Sequence, residues 1–417
     1  MIRAIKGTRD ILPPSSAVWN HVEAVARQVF RAYNYQEIRT PVFEETQLFA
    51  RGVGQETDIV TKEMYTFDDR DGHSVTLRPE NTAPVIRAYI EHRLDQLPGL
   101  QKLYYIGPMF RRERPQKGRY RQFYQIGAEA IGSDSPAVDA EVIEMLTELF
   151  TRCGLAGFEI LLNSVGCPGC RPQFVERLRE RLATEVIKLC QDCRRRATTN
   201  PLRVLDCKIP QDQPIIDALP SILDHLCEAC RTHFARVREL LDDRAIPYTI
   251  RPRLVRGLDY YTRTTFEFVH GSLGAQNSVL GGGRYDGLAE TLESPVAAPG
   301  IGFSIGEDRL VMSLEEAAPE AHHHVLELYV APLGDAAVHH CARLAHELRR
   351  RNAVVELGAG AKLKRAMEIA NKTGARYVLI VGDNEMKAGR YALKDMTSGD
   401  QIEVSREDLL ARFPLHS

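Results

Sequence analysis

A run of closely spaced arginines is the feature of this chain with the clearest chemical meaning. Residues 110–123 read FRRERPQKGRYRQF, so that six cations and a single carboxylate fall between Arg111 and Arg121. Guanidinium groups are planar forks of donors that bind phosphate oxygens in pairs, and a reaction on a triphosphate needs several of them directed at one place. An ordinary solvated charge run mixes signs and lacks the aromatic residues interleaved here. The run therefore predicts a site for a phosphorylated ligand.

Two further segments place arginines in informative surroundings. Residues 254–261 read LVRGLDYY and set Arg256 close to Asp259 and a tyrosine pair, a compact group of polar side chains that suits a small, specific ligand. A purely structural pair between Arg256 and Asp259 is the alternative. Residues 300–310 read GIGFSIGEDRL and include Arg309. Glu-Asp-Arg at the start of a helix is common on protein surfaces, so Arg309 gains significance from the glycine-containing stretch before it.

The glycine run that precedes Arg284 could suggest a dinucleotide-binding loop. It reads GGGR at 281–284, lacks the GxGxxG spacing, and is not followed by a βαβ unit. A close approach of the backbone to a substrate or to a neighbouring strand is the better interpretation.

Seven of the nine cysteines fall between Cys167 and Cys230. They comprise three Cys-x-x-Cys pairs and a single residue: Cys167 with Cys170, Cys190 with Cys193, Cys227 with Cys230, and Cys207. Two such pairs can close a tetrahedral zinc site, and three pairs leave the choice of ligands open. Partly buried free thiols are the alternative. The sequence therefore allows a structural zinc ion in this segment without assigning any residue as a metal ligand.

The bulk composition is typical of a soluble protein of two or three domains. Hydrophobic residues make up 44% of the chain and charged residues 26%, and the net charge is −2. No apolar run is long enough to span a membrane, and the basic N-terminus is not followed by the apolar core of a secretory signal. We therefore expect a cytoplasmic protein with no membrane partner. Any contact with RNA must come from local basic patches, because the net charge is close to neutral.

Hydrophobic periodicity and turn signals predict an α+β fold, a mostly antiparallel sheet with helices packed on it. Ser15 or Ser16 is expected to cap a first helix, whose apolar stripe runs as far as Tyr33. Strands are predicted on both sides of the arginine run, at 103–106 and 123–126. Further elements are predicted as a helix at 136–153 between Ser135 and Gly154, strands at 264–269, 278–280 and 302–305, and a helix that begins at Glu307.

Residues 166–250 interrupt this pattern, because they are helical, charged and rich in cysteine. They predict a domain inserted into a discontinuous main domain of residues 1–165 and 251–320. A polar, alanine-rich linker is expected at Ser313–His324, with three consecutive histidines that we expect to be solvated. The final region, 325–417, is predicted to be a separate α/β domain with a mainly parallel sheet. Its expected strands are 326–330, 354–357 and 377–381, and its expected helices are 336–350 and 362–371.

Several of these segments, in this order, resemble the motifs of class II aminoacyl-tRNA synthetases. The arginine run resembles motif 2, the first helix with the extended segment ending at Pro41 resembles motif 1, and GIGFSIGEDRL resembles motif 3. LVRGLDYY and the segment AQNSVLGGGRYDGL at 275–288 resemble the two signature segments of the histidyl-tRNA synthetase family. The resemblance extends from KGTRDILP at Lys6 into the final domain.

The resemblance implies a fold and an activity. The discontinuous main domain would be the class II catalytic domain, 166–250 a helical cysteine-rich insertion, and 325–417 an anticodon-binding-type domain. The activity would be that of a histidine–tRNA ligase, which makes histidyl-adenylate from ATP and L-histidine and transfers the histidyl group to the 3′ end of tRNA-His. Mg²⁺ would accompany ATP, and motif 1 would build a homodimer interface. The attacking carboxylate is already an anion, so this chemistry needs positioning and cationic stabilisation rather than a strong general base.

The resemblance also assigns a role in ATP binding to four residues. Arg111 would contact the α-phosphate, and Arg256 would lie across that phosphate from it; both are the expected catalytic residues. Glu113 would lie on the adenine side, and Arg309 would bind the far phosphates.

A polar histidine pocket is implied as well, because both nitrogens of an imidazole need hydrogen-bond partners. Glu129 and Tyr261 are the candidates for the ring, with Tyr260 beside them. The candidates for the ammonium group are Glu80, Thr82 and Gln125. Asn81 departs from the family pattern, which often has glycine there, and could shift the backbone of its two neighbours.

Two other classes of protein are alternatives to this interpretation. The first is a catalytically inactive, synthetase-like histidine sensor, the regulatory subunit of ATP phosphoribosyltransferase, which would lack the intact arginine set and the final α/β domain. The second is a zinc-ribbon module that binds nucleic acid, which explains residues 166–230 but leaves Arg256 and the motif 3 segment without a purpose.

Overall fold

The computed structural model describes residues 2–55, 57–271, 277–319 and 326–413. The chain divides into two compact units, Met1–His322 and His323–Ser417. The predicted boundary between the last two domains, and the three consecutive histidines, lie outside the described residues. None of the described helices is both long enough and apolar enough to cross a membrane.

An eight-stranded sheet forms the centre of the first unit. Its order is β1-β5-β6-β11-β10-β9-β7-β8, and only the two outermost pairings are parallel. A separate three-stranded sheet has the order β2-β4-β3. The mostly antiparallel sheet is therefore confirmed. In chain order the strands are β1 (Gln36–Glu37), β2 (Phe43–Glu45), β3 (Tyr65–Asp68), β4 (Ser74–Leu77), β5 (Gln101–Phe110), β6 (Gln122–Ile131), β7 (Glu159–Ser164), β8 (Thr249–Ile250), β9 (Thr262–Val269), β10 (Ser278–Arg284) and β11 (Gly300–Gly306).

Helices cover the sheet and bury their apolar faces against it. The main core joins α1, α4 and α8 to the inner strands through side chains such as Phe30, Leu146 and Phe266. In chain order the helices of this unit are α1 (Ser15–Ala32), α2 (Thr46–Val53), α3 (Thr82–Glu91), α4 (Pro136–Arg152), α5 (Arg171–Ala183), α6 (Gln191–Thr199), α7 (Gln213–Asp217), α8 (Glu228–Asp242), α9 (Leu288–Thr291) and α10 (Glu307–Ala317).

The ends of these helices test the predicted signals. Ser135 accepts a hydrogen bond from the N–H of Ala137 and caps α4, as predicted. The predicted cap of α1 is wrong, because Pro14 occupies the capping position without a side-chain bond and Ser15 already lies in the helix. The Ser15 hydroxyl instead donates to Glu315 at 2.6 Å. A serine before an apolar stripe can serve a neighbouring helix as well as its own.

The predicted linker at Ser313–His324 is wrong in its first part. Helix α10 continues to Ala317, and both Ser313 and Leu314 are buried. The apolar spacing of Leu310, Val311 and Leu314 keeps one helix face in the main core, so the polar residues between them extend the helix rather than end it.

The segment between β7 and β8 is helical, as predicted, and has its own core. That core is small and includes Phe174, Leu178 and Leu205 together with several cysteines. Its last helix, α8, also packs on α4 and contributes Phe234 and Val237 to the main core. The boundaries of an inserted domain at 166–250 stay a prediction.

The second unit is an α/β fold around a five-stranded sheet. Strands β13, β12 and β14 are parallel, whereas β15 and β16 add antiparallel pairings at the other edge. The sheet is therefore mixed rather than mainly parallel, because β15 runs antiparallel to β14 after a short helix and β16 pairs with β15 across a turn. The elements are β12 (Leu328–Pro332), α11 (Asp335–Arg349), β13 (Val355–Leu357), α12 (Leu363–Lys372), β14 (Tyr377–Val381), α13 (Asp383–Ala388), β15 (Arg390–Asp395), β16 (Gln401–Ser405) and α14 (Arg406–Arg412).

Candidate active site

A polar cavity of about 300 Å³ opens over the central strands of the first unit. It gathers side chains from segments that are far apart in the sequence. Every candidate site residue except Glu129 lines it, namely Glu80, Thr82, Arg111, Glu113, Gln125, Arg256, Tyr260, Tyr261 and Arg309. The structure therefore brings the arginine run together with the segments that contain Glu80, Arg256 and Arg309.

The arginine run is the loop between β5 and β6. Arg111 follows the last residue of β5, donates from Nε to the carbonyl of Pro79 at 2.9 Å, and lies 5.3 Å from the ring centroid of Phe123. Glu113 forms an ion pair with Arg119 at 3.2 Å. These contacts fix the directions of the loop side chains before any ligand binds, which lowers the entropy cost of binding.

Arg256 lies against the backbone of β10. Its guanidinium pairs with Glu267 of β9, and its Nε has no hydrogen-bond partner among the described residues. A Cβ at Gly281 would lie 1.9 Å from Nη2, so a larger residue there would displace this guanidinium. The predicted close approach of the glycine run to a neighbouring strand occurs at Gly282, where a Cβ would lie 2.5 Å from the carbonyl oxygen of Gly302 on β11. An arginine with unused donors at a cavity wall is suited to bind an anion.

Arg309 connects helix α10 to the arginine loop. Its Nη1 donates to the carbonyl of Ser278 at 2.7 Å, and its Nε donates to that of Gly118 at 3.2 Å. Burial, and next the nearby guanidinium of Arg119, lower the pKa of Arg309 from its ordinary value. Like charges have been brought together here at a cost that an anionic ligand would relieve.

Glu80 and Thr82 are held at the start of helix α3. The Glu80 carboxylate accepts from the N–H groups of Thr82 and Ala83, at 2.8 Å and 3.1 Å. Asn81 is buried between them, and its side-chain oxygen accepts from the hydroxyl of Thr40 at 2.6 Å. Its φ of −124° needs no glycine. Asparagine at this position therefore fits without displacing its neighbours.

Glu129 lies beneath the cavity rather than on its wall. It is fully buried on β6 and accepts from the Thr82 hydroxyl at 2.7 Å. A Cβ at Gly302 would lie 1.7 Å from its Oε2, which has no partner among the described residues. Burial raises the pKa of Glu129 to about 8. The carboxyl group is therefore mostly protonated at neutral pH and can donate as well as accept.

Aromatic rings and one amide complete the inner end of the cavity. The ring centroids of Tyr260 and Tyr261 lie 4.7 Å apart, and Tyr285 packs edge-on against Tyr260 at 6.0 Å. Gln125 is buried on β6, and its Oε1 has no hydrogen-bond partner in the described part of the chain. This end is polar but shielded, as a pocket for a small polar side chain needs to be.

Several residues of the cavity wall were not identified from the sequence. Glu267 is the ion-pair partner of Arg256, and Asp206 and Lys208 reach the cavity from the cysteine-rich segment. A glutamate between two phenylalanines in the strand TRTTFEFV was a usable signal for Glu267. Asp206 and Lys208 flank Cys207, and this segment was interpreted from its cysteines rather than from its charged residues.

A larger cavity of about 620 Å³ lies elsewhere on the first unit, near Glu44 and Leu292. Its arginines are already paired: Arg87 with Glu44 and Glu91, and Arg51 with Glu293. Because carboxylates already neutralise both of these arginines, the smaller cavity is the better candidate for chemistry.

The smaller cavity can position and neutralise a phosphorylated ligand. The residues known to line it include no cysteine and no histidine, so it offers no Cys-His or Ser-His-Asp set. Arg111 comes from a hairpin loop, Arg256 from the segment that leads into β9, and Arg309 from the start of α10. Three arginines placed in this way over an antiparallel sheet define a class II aminoacyl-tRNA synthetase. Comparison with known proteins narrows this class.

The sequence model described as histidyl-tRNA synthetase matches residues 7–310, and that of the anticodon binding domain matches residues 327–414. The histidine–tRNA ligase of Solibacter usitatus is 71% identical, over 99% of this chain and 99% of its own length. That of Koribacter versatilis is 58% identical, over 98% and 95%. The apo histidyl-tRNA synthetase of S. aureus superposes with a TM-score of 0.81 at 38% identity, covering 99% of this chain and all of the other. The chain therefore belongs to the histidyl-tRNA synthetase family.

A structure described as an ATP phosphoribosyltransferase regulatory subunit/histidyl-tRNA synthetase, from Bacillus halodurans, also shares the fold. It has a TM-score of 0.67 at 21% identity, covering 92% of this chain and 98% of that one. At that identity the likeness shows the fold alone. The full-length ligase relatives, the intact arginine set and the matched anticodon-binding domain favour the enzyme over the inactive sensor.

Proposed function

We propose that this chain is a histidine–tRNA ligase that activates L-histidine with ATP and transfers it to the 3′ end of tRNA-His. The observation that carries the proposal is the convergence of Arg111, Arg256 and Arg309 on one cavity, with a shielded polar end beside them. Phosphate-binding and amino-acid-binding groups thus lie where both substrates can meet.

In the first step, the histidine carboxylate attacks the α-phosphorus of ATP. The new carboxyl oxygen–phosphorus bond forms as the bond to the bridging oxygen of pyrophosphate breaks, and the electron pair leaves with pyrophosphate. Arg111 and Arg256 neutralise the charge that builds on the α-phosphoryl oxygens, and Arg309 binds the leaving group. Because the nucleophile is an anion, no residue has to remove a proton, and catalysis consists of positioning and cationic stabilisation.

Histidine enters with its ring toward the shielded end of the cavity. The Glu80 carboxylate suits the ammonium group, and so does the Gln125 side-chain oxygen, which has no partner within the described residues. Both are acceptors held by the fold. Tyr261 and Glu129 suit the imidazole. A protonated Glu129 can donate to one ring nitrogen, or accept from it, as the tautomer requires. Glu129 acts from below the cavity wall, so the ring must reach past Thr82.

Magnesium fits the acidic residues on the same wall. Mg²⁺ that is shared with a nucleotide usually takes one or two carboxylates and the substrate phosphates. Glu267 lines the cavity beside the arginines and would hold it, whereas Glu113 keeps its proposed place on the adenine side. The ion would supply further neutralisation of the phosphate charge. The arginines and the backbone contacts of this chain provide the rest of the positioning.

The second unit is proposed to bind the anticodon region of tRNA-His. It belongs to the part of the chain that matches the anticodon binding domain. Its charge gives little support by itself, so the proposal depends on its fold. A homodimer built by motif 1, and action in the cytoplasm where translation uses charged tRNA, complete the proposal.

The decisive experiment is ATP–pyrophosphate exchange with each of the twenty amino acids, followed by charging of purified tRNA-His. We expect exchange with histidine alone and charging of tRNA-His. Histidine binding by calorimetry without any exchange would refute the enzyme and support the sensor. Exchange without charging would leave the activation chemistry intact and refute the role in tRNA recognition.

A further inference from the structure

Four sulfur atoms from two distant Cys-x-x-Cys pairs meet at the base of the cysteine-rich segment. The Sγ atom of Cys167 lies 3.8 Å from those of both Cys170 and Cys227, and that of Cys170 lies 3.9 Å from that of Cys230. All four sulfurs lie within 4.8 Å of one another. We call these four residues the first cluster.

These distances match the edges of a zinc tetrahedron. A Zn–S distance of about 2.3 Å places tetrahedral sulfurs about 3.8 Å apart. A disulfide would bring two sulfurs to about 2.0 Å. Each sulfur of the first cluster has neighbours both in its own pair and in the other pair. Four thiols arranged in this way suit one metal ion better than they suit two disulfides.

The remaining cysteines of the segment form a second cluster with an aspartate. Cys190, Cys193, Cys207 and Asp212 each offer one ligand atom, and these atoms lie within 4.8 Å of one another. The Sγ atoms of Cys190 and Cys207 are 4.0 Å apart, and Cys207 Sγ lies 3.3 Å from Asp212 Oδ2.

The burial of Asp212 is an independent sign of a cation. Its side chain is fully buried, and in the described ranges no arginine, lysine or histidine forms an ion pair with it. Among the described residues, its oxygens accept from the N–H of Cys190 and from the thiol of Cys207. A buried carboxylate without a cationic partner is costly, and a metal ion among the three thiols would provide the missing charge.

We propose that this chain holds two structural zinc ions, one bound by the four cysteines of the first cluster and one by the three cysteines and the aspartate of the second. The two sites use all seven clustered cysteines. Both offer four protein ligands and leave no open position, which is the pattern of structural rather than catalytic zinc. Each thiol would bind as thiolate and release its proton on metal binding. Zinc is redox-inactive, so no electron transfer is involved.

The local fold explains why this segment needs such links. Each Cys-x-x-Cys pair lies at the start of a helix, with Cys170, Cys190 and Cys227 in the capping positions of α5, α6 and α8. The positive end of a helix stabilises a thiolate. Apart from these helices the segment consists mainly of short turns around a small core, so two metal sites would supply much of its stability.

Both sites adjoin the active-site cavity. Cys207 lies between Asp206 and Lys208, which line the cavity. Arg171 follows Cys170 and donates to the carbonyl of Tyr261, another cavity residue. The zinc ions would therefore hold the part of the segment that completes the cavity wall.

The test is the zinc content of the full-length protein, purified with a thiol reductant and without chelator, by inductively coupled plasma mass spectrometry. We expect two zinc ions per chain. The paired substitutions C167S/C170S and C190S/C193S should each reduce this to one. The matched control is Cys153→Ala, which removes a buried cysteine of the main core and should leave two.

A second measurement protects the test against variants that fail to fold. Titration of the unaltered protein with a mercurial thiol reagent should release two zinc ions, detected with a colorimetric indicator, as seven thiolates are modified. The proposal would be overturned if metal-free protein had nine reactive thiols and unfolded at the same temperature as the protein purified without chelator. Iron in place of zinc would overturn the identity of the metal, and one zinc ion per chain would overturn the site at the second cluster.

Discussion

Two arginines of the first unit, Arg284 and Arg256, each pair with a carboxylate but differ in what else they contact. Arg284 is fully buried and pairs with Asp139 at 2.7 Å and with Asp286 at 2.7 Å. It also donates to the carbonyls of Ser133 and Ser135. Arg256 borders the cavity and pairs with Glu267, and its Nε has no partner in the part of the chain that the structure describes.

These different contacts distinguish an arginine with a structural role from one that can bind a ligand. An arginine whose donors are all occupied by fixed partners can only hold elements together, here the end of β10 and the start of α4. An arginine with spare donors at a cavity can bind a ligand. Both residues lie in segments that resemble family signatures, so residue type and motif membership did not distinguish them; their hydrogen-bond partners did.

The largest expected effect is on stability, from Arg284→Met. It leaves the buried Asp139 without its cation, which typically costs about 3–5 kcal/mol of unfolding free energy. Urea denaturation followed by circular dichroism measures this. The double variant R284M/D139N should recover most of the loss, because no buried charge then remains unpaired. A loss below about 1 kcal/mol in the single variant would contradict a structural role for Arg284.

Arg256→Ala should have the opposite effects, a large loss of activity and little change in stability. We expect histidine-dependent ATP–pyrophosphate exchange to fall about 10²- to 10³-fold, because one positioned donor is lost from the transition state. The urea midpoint should stay close to that of the unaltered protein. Lysine at this position should rescue poorly, since it lacks the planar fork. Near-normal exchange by the alanine variant would remove Arg256 from the proposed catalytic residues.

Much of the fold was predictable because local signals and packing agree. The strands on either side of the arginine loop, helix α4 with its Ser135 cap, and the strand–helix step at Glu307 all have periodic apolar residues bounded by turn residues. The predictions failed where a local signal had a tertiary use. Ser15 bonds to Glu315 instead of capping α1, and polar residues of α10 extend a helix that its apolar face holds in the core.

The cavity was predictable in its motifs but not in its pairings. Arg256 has Glu267 as its partner because β9 and β10 are adjacent in the sheet, and no spacing in the sequence encodes that adjacency. The ligand choice among seven cysteines was open for the same reason. Only the folded segment shows that Cys167 and Cys170 face Cys227 and Cys230, and that Asp212 joins the others.

Glu129 extends the comparison to a buried group with spare hydrogen-bonding capacity. Glu129→Ala should weaken histidine binding by about 1–3 kcal/mol, because it leaves an imidazole nitrogen unpaired in a shielded pocket. ATP binding should change little, since the arginine contacts are untouched. Isothermal titration calorimetry with each ligand separates the two affinities. Equal losses for histidine and ATP would indicate a general structural role instead.

The last expected effect concerns the pH dependence of stability, measured as the change per pH unit. Burial raises the pKa of Glu129 from its ordinary value of 4.5 to about 8, so between these two values the folded state binds a proton that the unfolded state has released. The contribution of Glu129 to stability is therefore complete below pH 4.5 and is lost as the pH rises through about 8. Glu129→Gln cannot ionise and removes this term.

Urea denaturation of both proteins across that range should show the difference. The unaltered protein should lose stability relative to Glu129→Gln as the pH rises, by at most about 1.4 kcal/mol per pH unit. Glu307→Gln is the matched control, because burial also raises the pKa of Glu307, to about 9, at a site outside the cavity wall. Parallel curves for the unaltered protein and Glu129→Gln would show that Glu129 is ionised in the folded state, and would leave it unable to donate to the imidazole.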